Sequence, residues 1–264
     1  MLAALLFSSA IAITFDDLPG TSFADHEKLI AALRKHHAPA IGFVNSDQRS
    51  KEEVTSVIDL WLRNGLSIGN HTAHHLDLNR VGAAEFERDV IAGESVLPDH
   101  KWFRYPYLHT GTSKEVRDGV ARFLARRGYR NAVVTLNSDE FLYNKAYAAA
   151  HDTAHEQRIA AAYLEFMESI VAFFEKRTNE VVGHPIPQVL LLHASALAAD
   201  HLDGLLNMLE RRGYRFITLE EAMRDPAYAL PDGYIGARGL SWIHRWGLAK
   251  GMRVVMEPEA KIPD

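Results

Sequence analysis

Two groups of side chains in this sequence could bind a metal ion. Asp16 and Asp17 follow a short apolar run, and His71 and His75 stand four residues apart after a second one. Adjacent carboxylates repel each other, so their burial is costly unless a cation or an arginine lies close by. If the two histidines occupy a helical turn, both imidazoles lie on one face, as a divalent metal ion requires. His74 is an alternative ligand in place of either histidine.

Each of these groups, taken alone, also has a purely structural explanation. Paired aspartates often cap the following helix or face solvent. The chain contains 14 histidines, so a surface position is an ordinary explanation for any one of them. The argument for a metal site therefore depends on whether further groups with matching chemistry accompany these two.

Two further groups do accompany them. Arg104 comes just after a predicted buried strand and is placed to pair with a carboxylate. Pro106 then sets a rigid turn at Tyr107 that can direct backbone N–H groups towards a bound oxygen atom. His193 ends an apolar run, where a lone histidine is more often structural than catalytic. Together, the four groups could supply a metal site, a base, an orienting cation and an acid.

All but one of the four groups fall at the ends of predicted strands, which alternate with predicted helices. The strands are predicted at Ala10–Phe15, Ala40–Val44, Leu66–Gly69, Trp102–Arg104, Asn131–Thr135, Val189–Leu192 and Arg215–Thr218. The helices are predicted at Asp25–His36, Lys51–Arg63, Ala83–Leu97, Lys114–Arg127 and Asp200–Arg212. This alternation predicts an α/β fold, a closed or nearly closed barrel of about seven parallel strands. Because the carboxyl ends of such strands converge on one face, the four groups are expected to meet there.

Two segments depart from the alternation. A long helix is predicted at about Thr153–Arg177, where a short crossover would suffice. Residues 225–264 are rich in proline, glycine and aromatic residues, and we expect them to pack as a C-terminal extension on a barrel formed by residues 1–224.

Composition excludes several classes of protein and site. The 264-residue chain has a net charge of −5 and no basic stripe, which argues against a nucleic-acid partner. It contains no cysteine, so disulfides, thiolate catalysis and cysteine-based zinc sites are excluded. No apolar run is long enough to span a membrane. Met1–Ala10 is apolar but lacks a basic start, and it could be the remnant of a secretory signal.

The four groups also resemble the motifs of a known family. TFDD at residues 14–17, NHTAHH at 70–75, RYPY at 104–107 and LLLH at 190–193 are similar, in order and separation, to those of the polysaccharide deacetylases (carbohydrate esterase family 4). The resemblance implies a distorted (β/α) barrel with one divalent ion, most often zinc, although cobalt, nickel or manganese could serve. It implies that Asp17, His71 and His75 hold the metal, that Asp16 is the general base and that His193 is the general acid.

Two positions depart from the family pattern. The family usually places an aspartate, often followed by tryptophan, between the third and fourth motifs to orient the acid histidine and line the pocket. Here Asp139 can fill the carboxylate role, but Glu140 then stands where an aromatic residue is expected. The third motif also continues further than usual, so that His109 could reach the pocket.

The resulting prediction is a metal-dependent hydrolase that removes acetyl groups from a polymer or oligomer containing N-acetylglucosamine, such as peptidoglycan or chitin. In this scheme Arg104 pairs with the base, and the backbone near Pro106 and Tyr107 stabilises the oxyanion. Such a substrate predicts a periplasmic or secreted protein. Alternatives are an O-acetyl xylan esterase or small-amide hydrolase of the same fold, or an inactive barrel that binds glycans through Trp242, Trp246 and Tyr234.

Overall fold

The computed structural model describes residues 9–97 and 101–264, and these form a parallel β-sheet surrounded by helices. The predicted signal remnant lies almost wholly outside the described residues. The strands are β1 Ala10–Leu18, β2 Ala40–Val44, β3 Ser67–Asn70, β4 Trp102–Phe103, β5 Arg130–Asn131, β6 Gln188–His193 and β7 Arg215–Phe216.

The sheet is parallel throughout and curls towards closure. The strand order is β5-β4-β3-β2-β1-β6, and β7 pairs with β1. A single bridge between Leu136 and Leu190 joins the segment after β5 to β6, at the opposite end of the strand order. The predicted α/β fold, a distorted barrel of parallel strands, is confirmed.

The helices lie around this sheet. They are α1 Phe23–Lys35, α2 Lys51–Arg63, α3 Leu78–Val81, α4 Ala83–Gly93, α5 Lys114–Arg126, α6 Glu140–Ala148, α7 Thr153–Val182, α8 Ala196–Arg211, α9 Leu219–Ala222 and α10 Trp242–Ala249. Serine or aspartate side chains cap several helix starts, as Ser50 does for α2 and Asp152 for α7. Within the described ranges, no helix is both long and apolar enough to cross a membrane.

The fifth predicted strand is the clearest difference from the sequence prediction. Only Arg130–Asn131 form a regular strand, and residues 132–135 run irregularly before the bridge at Leu136. The carbonyl of Ala132 accepts from Arg104 Nε, that of Val134 accepts from Trp242 N–H, and that of Thr135 accepts from the Ser241 hydroxyl. Because these carbonyls bond to partners outside the sheet, the segment cannot form a regular ladder. The sequence pattern did not predict α6, which follows this segment in the chain, or α10, whose first residue bonds to it.

The C-terminal residues lie against the barrel. Trp242 and Trp246 of α10 are buried, and the Trp246 ring packs edge-on against Tyr228 with centroids 5.5 Å apart. The Trp242 backbone N–H donates to the Val134 carbonyl at 2.8 Å. The hydrogen bond therefore joins α10 to the irregular segment that follows β5. The division of the chain at residue 224 stays a prediction.

Candidate active site

The carboxyl ends of the strands surround an open cavity of about 660 Å³. It is lined by Asp16, Asp17, Gly20, Gln48, His71, His75, Tyr107, Leu108, His109, Asn137, Ser138, Asp139, Phe141, Asn144, Leu191, His193, Ala194 and Ser195. The parallel register sets part of this arrangement, because Asp16 on β1 pairs directly with His193 on β6. The structure therefore brings the four predicted groups together on one face.

Asp16 forms a buried ion pair with Arg104. The Arg104 Nη1 donates to Asp16 Oδ1 at 2.8 Å, and its Nη2 donates to the Thr14 hydroxyl at 3.1 Å. The guanidinium also stacks over the Phe43 ring, 4.5 Å from its centroid. Because the guanidinium is itself held by Thr14 and Phe43, it fixes the orientation of the carboxylate, which is what a base that must face one substrate atom needs.

Asp17, His71 and His75 form a compact cluster beside that pair. One potential ligand atom from each side chain lies within 4.8 Å of the others. Asp17 Oδ1 is 3.5 Å from His71 Nε2 and 3.3 Å from His75 Nε2. His71 Nδ1 lies 2.7 Å from the Arg104 carbonyl, to which it donates, so the Nε2 atom is left free to accept a metal ion.

The predicted helical turn that would align the two histidines is wrong. β3 ends at Asn70, and His71–Asp77 form an irregular loop before α3. Thr72 and His75 have φ angles of 69° and 56°, in the left-handed region. The loop therefore turns sharply at two points, and these turns, not helical spacing, place His75 beside His71. Such backbone costs on the order of 1–3 kcal/mol per residue and persists only where the surroundings enforce it.

The donor set fits a divalent cation of the zinc type. One carboxylate and two imidazoles leave open coordination positions, as in catalytic zinc sites. Asp17 Oδ1 is buried and has no hydrogen-bond partner among the described residues, which a cation would correct. Burial raises the pKa of Asp17, but the neighbouring His71, together with the charges of His75 and His193, outweighs burial and holds that pKa well below its usual value. Burial and the neighbouring His71 lower the pKa of His75 to about 4, so its ring is neutral at physiological pH.

His74 is turned away from the cluster. Its Nδ1 lies 2.5 Å from Asp89 Oδ1 and its Nε2 lies 2.8 Å from Asp47 Oδ2. The hydrogen bond to Asp89 raises the pKa of His74. Both ring nitrogens are thus occupied by carboxylates, and His74 does not belong to the set of residues close enough to share an ion.

Asp139 does not orient His193, and Glu140 does. Glu140 Oε1 lies 2.7 Å from His193 Nδ1 and accepts from the His193 backbone N–H at 2.8 Å. Asp139 is exposed at the position before α6, whereas Glu140, the first residue of that helix, is 1 % exposed. The expected aromatic residue is then Phe141, which lines the cavity. The order of carboxylate then aromatic in the sequence was a signal for this assignment.

A chain of polar side chains extends from Glu140. Asn144 Nδ2 donates to Glu140 Oε2 at 2.7 Å, and the Ser195 hydroxyl donates to Asn144 Oδ1 at 2.9 Å. Burial lowers the pKa of His193, but the hydrogen bond and charge of Glu140 outweigh it and raise that pKa to about 9. The imidazole is therefore protonated at neutral pH. The spacing of Glu140 and Asn144 by four residues on one helix face could have indicated this network.

The loop after β4 forms one wall of the cavity. Pro106 is buried, while the Tyr107 side chain is 55 % exposed and its ring lies 4.5 Å from that of His75. Tyr107 and Leu108 have φ angles of 57° and 55°. His109 also lines the cavity, with its Nδ1 2.8 Å from Asp77 Oδ1. The third motif and its continuation thus bring the rings of Tyr107 and His109 to the cavity, and Phe141, 48 % exposed, provides another.

Comparisons with known proteins agree with the predicted fold and family resemblance. Residues 8–128 match the family described as polysaccharide deacetylase. A peptidoglycan-N-acetylglucosamine deacetylase of Bacillus cereus is 27 % identical over 222 residues, covering 81 % of this chain and 88 % of that protein. The crystal structure of a polysaccharide deacetylase from Bacillus cereus superposes with a TM-score of 0.57 at 19 % identity, covering 80 % of this chain and 91 % of that one.

A fold neighbour described as a pseudoenzyme is similar to the same extent. A mutant of a family 4 carbohydrate esterase pseudoenzyme from Bacillus anthracis superposes with a TM-score of 0.59 at 16 % identity, covering 82 % of this chain and 68 % of that one. The predicted resemblance to the polysaccharide deacetylase family is confirmed. Because a pseudoenzyme shares this fold, the fold alone does not decide whether a chain is active, and activity has to be inferred from the residues of the site.

Proposed function

We propose that this chain, a relative of the polysaccharide deacetylases, is a metal-dependent hydrolase that removes acetyl groups from saccharides containing N-acetylglucosamine, of the peptidoglycan or chitin type. One observation carries the proposal. A cluster of three potential ligands lies within 4 Å of both a carboxylate fixed by Arg104 and a protonated histidine fixed by Glu140. A base and an acid with opposite surroundings on two sides of one site are the arrangement that amide hydrolysis requires.

Asp17, His71 and His75 would hold the metal. When bound, a divalent ion of this type polarises a carbonyl oxygen and lowers the pKa of water, which supplies a nucleophile at neutral pH. The two imidazoles are available for this role because the Nδ1 of His71 is occupied by the Arg104 carbonyl and His75 is neutral. We expect the ion to be zinc.

Asp16 would act as the general base. Its Oδ1 is occupied by Arg104, while its Oδ2 lies 3.8 Å from His71 Nε2 and faces the cluster. That oxygen is placed to take a proton from the water that attacks the acetyl carbon. The ion pair with Arg104 balances the buried charge and fixes the direction in which the free oxygen points.

His193 would act as the general acid. Its Nε2 lies 3.9 Å from Asp17 Oδ2 of the cluster, and its Nδ1 is held by Glu140. A protonated Nε2 can give its proton to the departing amine, which is a poor leaving group without one. The Tyr107 backbone N–H, at the left-handed turn after Pro106, would donate to the oxyanion of the tetrahedral intermediate.

The cavity walls support a sugar substrate. Tyr107 and Phe141 present exposed rings to an open cavity, and aromatic faces are suited to the apolar face of a pyranose ring. Peptidoglycan and chitin both contain N-acetylglucosamine as a pyranose ring with such a face. Because these polymers lie outside the cytoplasm, we also propose a periplasmic or secreted location.

Mass spectrometry of acetylated oligosaccharides tests the proposal. Chitooligosaccharides, peptidoglycan fragments and acetylated xylan would each be incubated with zinc-loaded protein and with protein treated with a chelator. We expect loss of acetyl groups from the first two with the zinc-loaded protein only. Loss from xylan alone would indicate an O-acetyl esterase. Stoichiometric zinc without turnover of any substrate would indicate an inactive barrel.

A further inference from the structure

Arg245 of α10 is a buried cation that reaches the loop after β4. Its side chain is fully buried. Nη2 donates to the Leu108 carbonyl at 2.5 Å, and Nη1 donates to the Thr110 hydroxyl at 2.9 Å. Nε donates to the Leu240 carbonyl at 3.0 Å, and Asp232 Oδ2 lies 3.0 Å from Nη1. The guanidinium therefore joins the C-terminal segment to a loop more than a hundred residues earlier in the chain.

The loop that Arg245 contacts carries an unusual backbone. Tyr107 and Leu108 are consecutive residues in the left-handed region, which non-glycine residues rarely adopt. Such a conformation persists only when neighbouring atoms enforce it. The bond from Arg245 to the Leu108 carbonyl acts directly on this pair, because that carbonyl belongs to the second of the two residues.

A second contact from the C-terminal segment acts on the same pair. A Cβ atom at position 239 would overlap the Tyr107 carbonyl oxygen, so Gly239 packs directly against that backbone. The Gly239 carbonyl accepts from Asn137 Nδ2 at 3.0 Å, which holds the segment in place. The Trp242 ring covers the Arg245 guanidinium, whose centre lies 4.1 Å from the ring centroid. The C-terminal segment thus contacts the backbone of both residues of the left-handed pair.

The position of Tyr107 matters for the site. Its ring lies against His75, and its backbone faces the cavity that holds the cluster. A change in the Tyr107 backbone would move both the aromatic wall and the N–H that the proposed mechanism uses. Small displacements of such groups are costly, since about 1 Å can lower a rate by a factor of about a hundred.

We propose that Arg245 is a positioning residue that holds Tyr107 and Leu108 in their left-handed conformation and so makes the C-terminal segment part of the active-site wall. The inference rests on the proposed deacetylase function for its kinetic readout. Its structural readout, the protection of the loop, is independent of that function.

Arg177 of α7 offers a matched control. It is also buried, and its Nη2 donates to the Arg253 carbonyl at 2.7 Å while its Nη1 donates to Glu180 Oε2 at 2.7 Å. Arg177 therefore also holds the C-terminal segment, but it does not reach the loop after β4. A purely structural role for Arg245 predicts the same behaviour for Arg245→Gln and Arg177→Gln.

The experiment compares these two variants in the full-length, zinc-loaded protein. We expect Arg245→Gln to lower kcat at least about tenfold, with KM and zinc stoichiometry changed less than about twofold. Hydrogen exchange in residues 105–110, followed by mass spectrometry, should rise. Arg177→Gln should lower the melting temperature but leave kcat and exchange in that loop near wild type. Arg245→Lys, which keeps the charge beside Asp232, should recover part of the loss.

Gly239→Ala extends the test to a case where Arg245 is intact. The added methyl group would push on the Tyr107 carbonyl, so kcat should fall, loop exchange should rise and the melting temperature should drop. If Arg245→Gln fails to fold, Gly239→Ala decides the matter, and wild-type kcat with a protected loop in that variant would overturn the inference. Equal loss of kcat in the Arg245 and Arg177 variants would also overturn it. A wild-type protein without turnover would refute the proposed function, while loop exchange would still decide the role of Arg245.

Discussion

His193 donates two hydrogen bonds to one oxygen of Glu140, from its ring Nδ1 at 2.7 Å and from its backbone N–H at 2.8 Å. The other oxygen of Glu140 accepts from Asn144 at 2.7 Å. The carboxylate is therefore fixed at both oxygens, and the ring of His193 is fixed with it. This relationship makes Glu140, not the neighbouring aspartate, the residue that sets the protonation state of the proposed acid.

Glu140→Gln should move the alkaline limb of the pH–rate profile to lower pH. The wild-type pKa of His193 is about 9, and the acid must be protonated to act, so activity should fall as the pH rises through that value. Glu140 is the group that raises the pKa of His193 most, so removing its negative charge should lower that pKa. We therefore expect the limb to shift down by about 1–2 pH units. The measurement is kcat/KM between pH 6 and about pH 10.

Asp139→Asn provides the matched control for that profile. Asp139 is exposed next to Glu140 and makes no bond to His193, so its substitution should leave the limb unchanged. A bound cation lowers the pKa of His193 in the wild type and in both variants. The test is therefore the shift of the limb in each variant relative to the wild type, not the absolute pH of the limb. A shift in Asp139→Asn with none in Glu140→Gln would mean that Asp139, as the sequence predicted, orients His193.

The sequence predicts which groups meet but not how each is oriented. Asp16 and His193 stand at the ends of two apolar strands, and parallel pairing alone brings them together. His75 reaches the cluster through left-handed residues in a loop, for which hydrophobic periodicity has no signal. The choice of Glu140 over Asp139 depends on which side chain the start of α6 turns inward. The contact between Arg245 and Leu108 joins residues 137 positions apart, and no local pattern reveals it.

Substitution of the metal ligands should abolish zinc binding. We expect Asp17→Ala and His71→Ala to lose stoichiometric zinc, because each leaves only two of the three ligands in the cluster. His74→Ala should keep it, since both ring nitrogens of His74 face carboxylates elsewhere. Zinc content measured by mass spectrometry after dialysis checks this. A full site in His75→Ala with an empty one in His74→Ala would contradict the ligand set.

Zinc affinity should weaken as the pH falls. A proton and the metal ion compete for the same imidazole nitrogens, so acid favours the metal-free state. The pKa of His75 is about 4 in the metal-free protein, so this ring competes with protons only at low pH. Calorimetric titration between about pH 4 and about pH 7.5 measures the trend, and affinity that rises with acid would contradict it.

Asp16→Asn should retain zinc while losing most of kcat. The substitution removes a base but no ligand of the cluster, and loss of a positioned base lowers rates by about a hundredfold to ten thousandfold. It also leaves the buried charge of Arg104 without its partner, so we expect a lower melting temperature. Kinetics and zinc content are measured on the same folded sample. Parallel loss of zinc and activity would make Asp16 a ligand.

Trp246→Ala should destabilise the whole protein. The side chain is 1 % exposed and packs against Tyr228, and removal of a buried tryptophan costs about 3–5 kcal/mol of unfolding free energy. Ile235 in the same segment is 40 % exposed, and Ile235→Ala should change stability by less than about 0.5 kcal/mol. Urea denaturation measures both. Wild-type stability for Trp246→Ala would mean that the C-terminal segment contributes little to folding.

Phe141→Ala should weaken the binding of an oligosaccharide more than it slows the chemical step. Phe141 lines the cavity and is 48 % exposed. It follows Glu140, which holds the proposed acid, and it is not a member of the ligand cluster. Loss of one aromatic contact is worth about 1 kcal/mol, so we expect KM to rise about fivefold with kcat nearly unchanged. Phe141→Trp, which keeps an aromatic face, should restore KM. The control is Phe23→Ala, which removes an aromatic ring that is 43 % exposed and outside the cavity lining. Steady-state kinetics on a chitooligosaccharide measure these effects, and a fall in kcat without a change in KM would show that Phe141 acts on the chemistry and not on the sugar.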